Sequence, residues 1–164
     1  MTNSDAGNYE TDVRFKKALE YYQAGQLHEA EKICKNIYST DPEYSPALHL
    51  LGMVAFRMGL HDVAVNLMGA AVKIRSDVAF YHKDLGNVFL SQDRVDESIL
   101  CYRNALRLDP NFVRAYYHLS VALTKKDLLD EAIQSLVIAL KLKPDYADAL
   151  YQSGIILSQK DQPD

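Results

Sequence analysis

The stretch that decides the fold is His82 to Pro110, HKDLGNVFLSQDRVDESILCYRNALRLDP. Leu85, Gly86 and Phe89 fall on one face at helical spacing, and the small Ser98 and Ala105 with the large Tyr102 fall on a second. Asp93 lies in the polar turn between them, and Pro110 closes the second run because proline cannot continue a helix. Asp96 and Glu97 fall in the first turn of the second run, where the helix dipole favours acids. Gly86 sits mid-helix, where glycine costs about 1 kcal/mol against alanine. That cost is tolerated when a neighbouring helix must approach closely.

Moving outward from this stretch, most of its features recur at a step of 34 residues. The turn position reads Gly25, Gly59, Asp93, Asp127, Asp161, and the glycines there are expected to end a helix in the left-handed conformation. The mid-helix small position reads Ala18, Gly52, Gly86, Ser120, Gly154. Ala30, Ala64, Ser98 and Ala132 form a third row, and Ala71, Ala105 and Ala139 a fourth. Pro42, Pro110 and Pro144 stop second helices, with Ser76 in place of proline in the second unit. Acids recur at Asp62, Asp96 and Asp130. The units are therefore 11–44, 45–78, 79–112 and 113–146, followed by a half unit 147–164 and preceded by a tail, 1–10, expected to be disordered. Leu85, Leu119, Ala105 and Ala139 are expected to be buried between adjacent helices.

The chain has 164 residues, 48% hydrophobic and 24% charged, which is the composition of an ordinary globular protein. No apolar run approaches the length of a membrane span, so no membrane partner is expected. Met1 to Glu10 is polar and does not read as a secretory signal. The net charge of -4 argues against a nucleic-acid module. Cys34 and Cys101 lie far apart without CxxC spacing, so neither a disulfide framework nor a zinc site is expected, and a reducing cytoplasm is the default.

The order Leu85-Gly86, Phe89, Ser98, Tyr102, Ala105, Pro110 resembles the tetratricopeptide repeat pattern, and the resemblance extends over residues 11–164. His82 replaces the leading aromatic of that pattern and Ser98 its alanine. The resemblance implies an all-α fold, a right-handed superhelical solenoid of antiparallel helix pairs. A pentatricopeptide array, which reads RNA, has a similar period, but the acidic balance and the fixed step of 34 argue against it.

The resemblance also implies that the first helix of each unit lines a concave groove for a protein or peptide partner. Carried over position by position, that groove comprises Phe15 and Tyr22; His49, Phe56 and Arg57; Phe80, Lys83, Asp84 and Asn87; Arg114, Tyr117, His118 and Lys125; and Tyr151. Phe56, Phe80, Tyr117 and Tyr151 are not demanded by the repeat, and aromatic residues beside Arg and Lys are typical binding anchors. Some relatives hold the C-terminal carboxylate of heat-shock chaperones by Lys and Asn on successive first helices. Lys83 and Asn87 match two of those positions, whereas His118 stands for Asn and Asp148 for a basic residue. The function implied is a protein-interaction scaffold. The alternative is the substrate-recognition arm of a larger glycosyltransferase, sulfotransferase or methyltransferase, because the opening units resemble the repeat arrays of bacterial multidomain proteins. The repeat arm of O-linked N-acetylglucosamine transferase carries an asparagine ladder, which here reads Lys16, Leu50, Asp84, His118, Gln152.

No GxGxxG, GxxxxGK[ST], HExxH or GxSxG motif is present, so no enzymatic activity and no cofactor are expected. His28 and His61 are expected in solvent, His82 in the core, and Cys34 buried and inert. Arg14 and Lys17 occupy positions held by Leu48 and Leu51 one unit later, as in an N-terminal cap. Leu150, Ile155, Ile156 and Leu157 leave the last helix apolar on more than one side. That pattern suggests a fragment of a longer protein, and a homodimer through the exposed C-terminal helix.

Overall fold

The computed structural model describes residues 3–160, with side chains from residue 9 onward. Nine α-helices and no strand are present among the described residues. They are α1 (Asn3–Gln23), α2 (Leu27–Thr40), α3 (Ser45–Arg57), α4 (His61–Ile74), α5 (Ala79–Ser91), α6 (Val95–Leu108), α7 (Val113–Lys125), α8 (Leu129–Leu142) and α9 (Ala147–Lys160). First helices begin at Ser45, Ala79, Val113 and Ala147 and second helices at Leu27, His61, Val95 and Leu129, each set at a step of 34. The helix α1 starts at Asn3 and so runs into the segment expected to be a disordered tail. Met1, Thr2 and the turn expected at Asp161 lie outside the described residues. No helix among the described residues is long and apolar enough to cross a membrane.

The turns show how the chain reverses. Gly25 and Gly59 have φ of 77°, and at the same position Asp93 and Asp127 have φ of 59° and 60°. Aspartate tolerates this left-handed conformation better than most residues with a side chain. At the other end of each pair, the amides of Asp41, Arg75, Asp109 and Lys143 donate to the carbonyls of Ile37, Ala71, Ala105 and Ala139 and finish the second helix. Asp41 and Asp109 then accept the amides of Glu43 and Asn111 at 3.1 and 3.0 Å, which turns the chain toward the next helix.

The chain divides into two compact units, Met1–Ser76 and Asp77–Asp164. In the first, Ala18, Cys34, Ile37, Ala47, Leu50 and Leu51 form a buried cluster. A Cβ added to Gly52 would lie 2.5 Å from Met68 Cγ, so the expected close approach of α3 and α4 is present. In the second unit, Tyr102, Leu119, Leu123, Leu136 and Ile156 are central to the core. Leu85, Leu119, Ala105 and Ala139 are all buried. Gly86 faces Tyr102 as Gly52 faces Met68, whereas nothing approaches within 4 Å of a Cβ at Gly154. On α9 only Ala149 and Ile156 are buried, and Leu150 and Leu157 are each 52% exposed.

The polar residues mostly follow the sequence reading. His82 is buried and His28 exposed. His61 is the exception, half-buried with its ring 5.3 Å from that of Phe56. Burial pushes the thiol of Cys34 up to about 12. Burial, aided by the charge of Glu97, pushes the thiol of Cys101 up to about 11. Both are therefore unreactive thiols at neutral pH.

Candidate functional site

In the second unit, four of the groove residues expected from the sequence converge. Lys83 on α5 and Arg114, Tyr117 and His118 on α7 line one cavity of about 400 Å3. Val113, Lys143, Tyr146 and Asp148 complete its wall. Lys143 and Tyr146 were not among the expected residues. A signal for Tyr146 exists in the repeat: Phe15 and Tyr44 stand three steps before Tyr117 and Tyr146. Both pairs meet edge to face, with ring centroids 5.6 Å apart. The Lys143 ammonium lies 5.5 Å from the centroid of the Tyr146 ring.

The cavity has a graded electrostatic character. Lys83 forms an ion pair with Asp84, and both side chains are mostly buried, at 14% and 16% exposure. Arg114 and Lys143 are exposed. His118 stacks on Tyr102 with centroids 5.8 Å apart and packs against Tyr117. Burial pushes His118 down to about 4, with Lys83 and Arg114 adding to the effect and Asp84 and Asp148 opposing it. Burial and the nearby Asp148 raise the Tyr117 and Tyr146 hydroxyls above their ordinary range. At neutral pH the cavity thus holds a neutral imidazole, two neutral phenols, the cation Lys83 paired with Asp84, and the cations Arg114 and Lys143, with the carboxylate of Asp148 in the same wall.

A neutral His118 has a measurable consequence. Between its folded value of about 4 and its ordinary value of 6.5, the unfolded chain binds a proton there that the folded chain does not. Stability should therefore fall as pH drops through that window. Melting curves at pH 7, 6, 5 and 4 should show a shallower decline for His118→Gln than for the wild type. Equal slopes would mean that the ring ionises freely in the folded state.

The repeat geometry agrees with the comparison to known families. Residues 86–127 match the family model described as TPR repeat, and residues 113–146 match that described as tetratricopeptide repeat. Residues 86–146 of this chain are tetratricopeptide repeats. Over 111 residues, 65% of the chain, it is 31% identical to N-alpha-acetyltransferase 16, NatA auxiliary subunit, of Mus musculus. Over 82 residues, 49% of the chain, it is 33% identical to the peroxisomal targeting signal receptor of Eremothecium gossypii. The matched regions span 13% and 14% of the lengths of these two curated relatives. Among solved structures, a Thermobaculum terrenum O-GlcNAc transferase mutant superposes with a TM-score of 0.77 at 32% identity, covering 92% of this chain and 28% of that one. The fold is an all-α helical-repeat solenoid.

The other expected groove positions do not join the cavity. Asn87 accepts a hydrogen bond from the Tyr102 hydroxyl at 2.9 Å, and the Lys125 ammonium donates to Asp93 at 2.7 Å. Both are engaged in holding helix pairs and turns. Phe80 is 49% exposed and meets Tyr81 edge to face, while Tyr151 is 75% exposed. In the first unit His49 is buried. Arg57 lies over the Tyr22 ring at 5.0 Å and donates to the Tyr22 carbonyl at 2.9 Å. Phe15 and Phe56 are half-buried.

Proposed function

We propose that the protein is a non-catalytic scaffold that holds a polypeptide partner. In this reading an acidic side chain or terminal carboxylate of the partner enters the cavity of the second unit. The observation that carries it is the meeting of Lys83, Arg114 and Lys143 with the rings of Tyr117 and Tyr146 around one space of about 400 Å3. Cations beside aromatic faces give directional contacts to a carboxylate and apolar area for the chain that bears it. The relatives add support by their names, one a receptor and the other an auxiliary subunit. We carry that kind of role, holding another molecule, to this chain.

Short random peptides selected on the wild-type protein supply the probe. They should be enriched in acidic residues and should bind the double variant Arg114→Glu, Lys143→Glu at least about tenfold more weakly, a change of about 1.4 kcal/mol. The melting midpoint should be unchanged, because both side chains are exposed. Undiminished binding would remove the cavity from the function. Lys83→Glu is the poorer probe: it sets a second carboxylate beside the mostly buried Asp84 and would lower stability as well.

A second reading has one specific observation in its favour, the 32% identity to the O-GlcNAc transferase chain across 92% of this one. On that reading the repeats are the substrate-recognition arm of a larger enzyme. A transferase domain encoded in the same reading frame would support it, and a reading frame of repeats alone would exclude it.

A further inference from the structure

The first unit contains a second cavity, of about 430 Å3, between α1 and α2. Arg14, Lys17 and Lys32 give it three cations, and Glu29 is the only acid among its lining residues. Tyr21 and Ile33 add an apolar wall. Lys17 stands where later units place Leu51, Leu85 and Leu119, all buried, and Arg14 stands where the next unit places the buried Leu48.

The cations are also poorly compensated. Arg14 donates through one terminal nitrogen to Asn36 Oδ1 at 3.0 Å, which fixes the guanidinium across the two helices. Its Nε is buried with no hydrogen-bond partner. Lys17 lies 5.8 Å from the centroid of the Tyr21 ring. Neither Arg14, Lys17 nor Lys32 forms an ion pair among the described residues. Three cations held around one cleft with a single acid between them repel each other, and an incoming anion relieves that repulsion.

We propose that this cavity docks an acidic segment of a protein partner. Aspartate or glutamate carboxylates seat against Arg14, Lys17 and Lys32, and the aliphatic part of the same segment lies on Tyr21 and Ile33. The apolar wall and the chain's net charge of -4 favour a peptide over a nucleic acid. This site is separate from the cavity of the second unit and stands whether or not that cavity binds anything.

The test uses the full chain carrying Arg114→Glu and Lys143→Glu, so that the cavity of the second unit contributes no attraction. Binding of fluorescein-labelled octaglutamate is followed by anisotropy at low ionic strength. The protein should bind the peptide, and adding Lys17→Glu with Lys32→Glu should weaken binding at least about tenfold. Both lysines are exposed, so the melting midpoint should hold. No binding in the background protein, or no loss on reversing the two lysines, would overturn the proposal. So would equally tight binding of a single-stranded oligonucleotide of the same charge, which would indicate a cleft for polyanions in general.

Discussion

Replacing Tyr102 with alanine should lower the stability of the protein by about 3–5 kcal/mol, the range for deleting a large buried aromatic ring. Tyr102 is fully buried, sits over Gly86, and stacks on His118 with centroids 5.8 Å apart. Its hydroxyl donates to Asn87 at 2.9 Å. The substitution therefore opens a cavity and strands an acceptor. Tyr102→Phe keeps the ring and loses only the hydrogen bond, for about 0.5–1.5 kcal/mol. Urea unfolding of the three proteins measures both differences. A Tyr102→Ala variant no weaker than Tyr102→Phe would show that the ring contributes little to the core.

The second large effect is expected at Gly86. A Cβ there would lie 2.7 Å from Cε1 of Tyr102, 3.0 Å from Cδ1 and 3.1 Å from Cζ. The ring is the near side of a buried, hydrogen-bonded tyrosine rather than a flexible end, so it cannot step aside at low cost. Gly86→Val should destabilise by about 3 kcal/mol, the upper part of the usual range for overpacking. Gly154 occupies the same repeat position with nothing within 4 Å of its Cβ. Gly154→Ala should raise stability by up to about 1 kcal/mol through helix propensity alone. The contrast is the measurement: equal responses at the two glycines would mean that helix–helix approach does not explain the glycine at position 86.

The 34-residue period made the helix starts legible, and the small residues within it marked where helices touch. The left-handed turns at Gly25 and Gly59 could be read from residue type, because few other residues adopt that conformation freely. Partner choice among polar side chains was not legible. Asn87 and Lys125 lie on the first-helix positions that the family uses for ligands, yet Tyr102 and Asp93 claim them. A period fixes which way a residue faces and not how far a neighbouring side chain reaches. The same limit hid Lys143 and Tyr146, which stand in the connection after α8 rather than on a first helix. His49 stands on a first helix as expected, but it is buried.

The two shielded thiols make the protein convenient for spectroscopy. Cys34 and Cys101 are both buried, and burial holds both thiols well above neutral pH in their protonated form. Maleimide and methanethiosulfonate reagents attack the thiolate at an accessible sulfur, so the native chain presents them with a quiet background. A single cysteine introduced by Tyr151→Cys, at a side chain 75% exposed, would carry a fluorophore or spin label on α9 without prior removal of the natural cysteines. The dense core around these two sulfurs thus leaves dye attachment to be decided by where the experimenter places the new thiol.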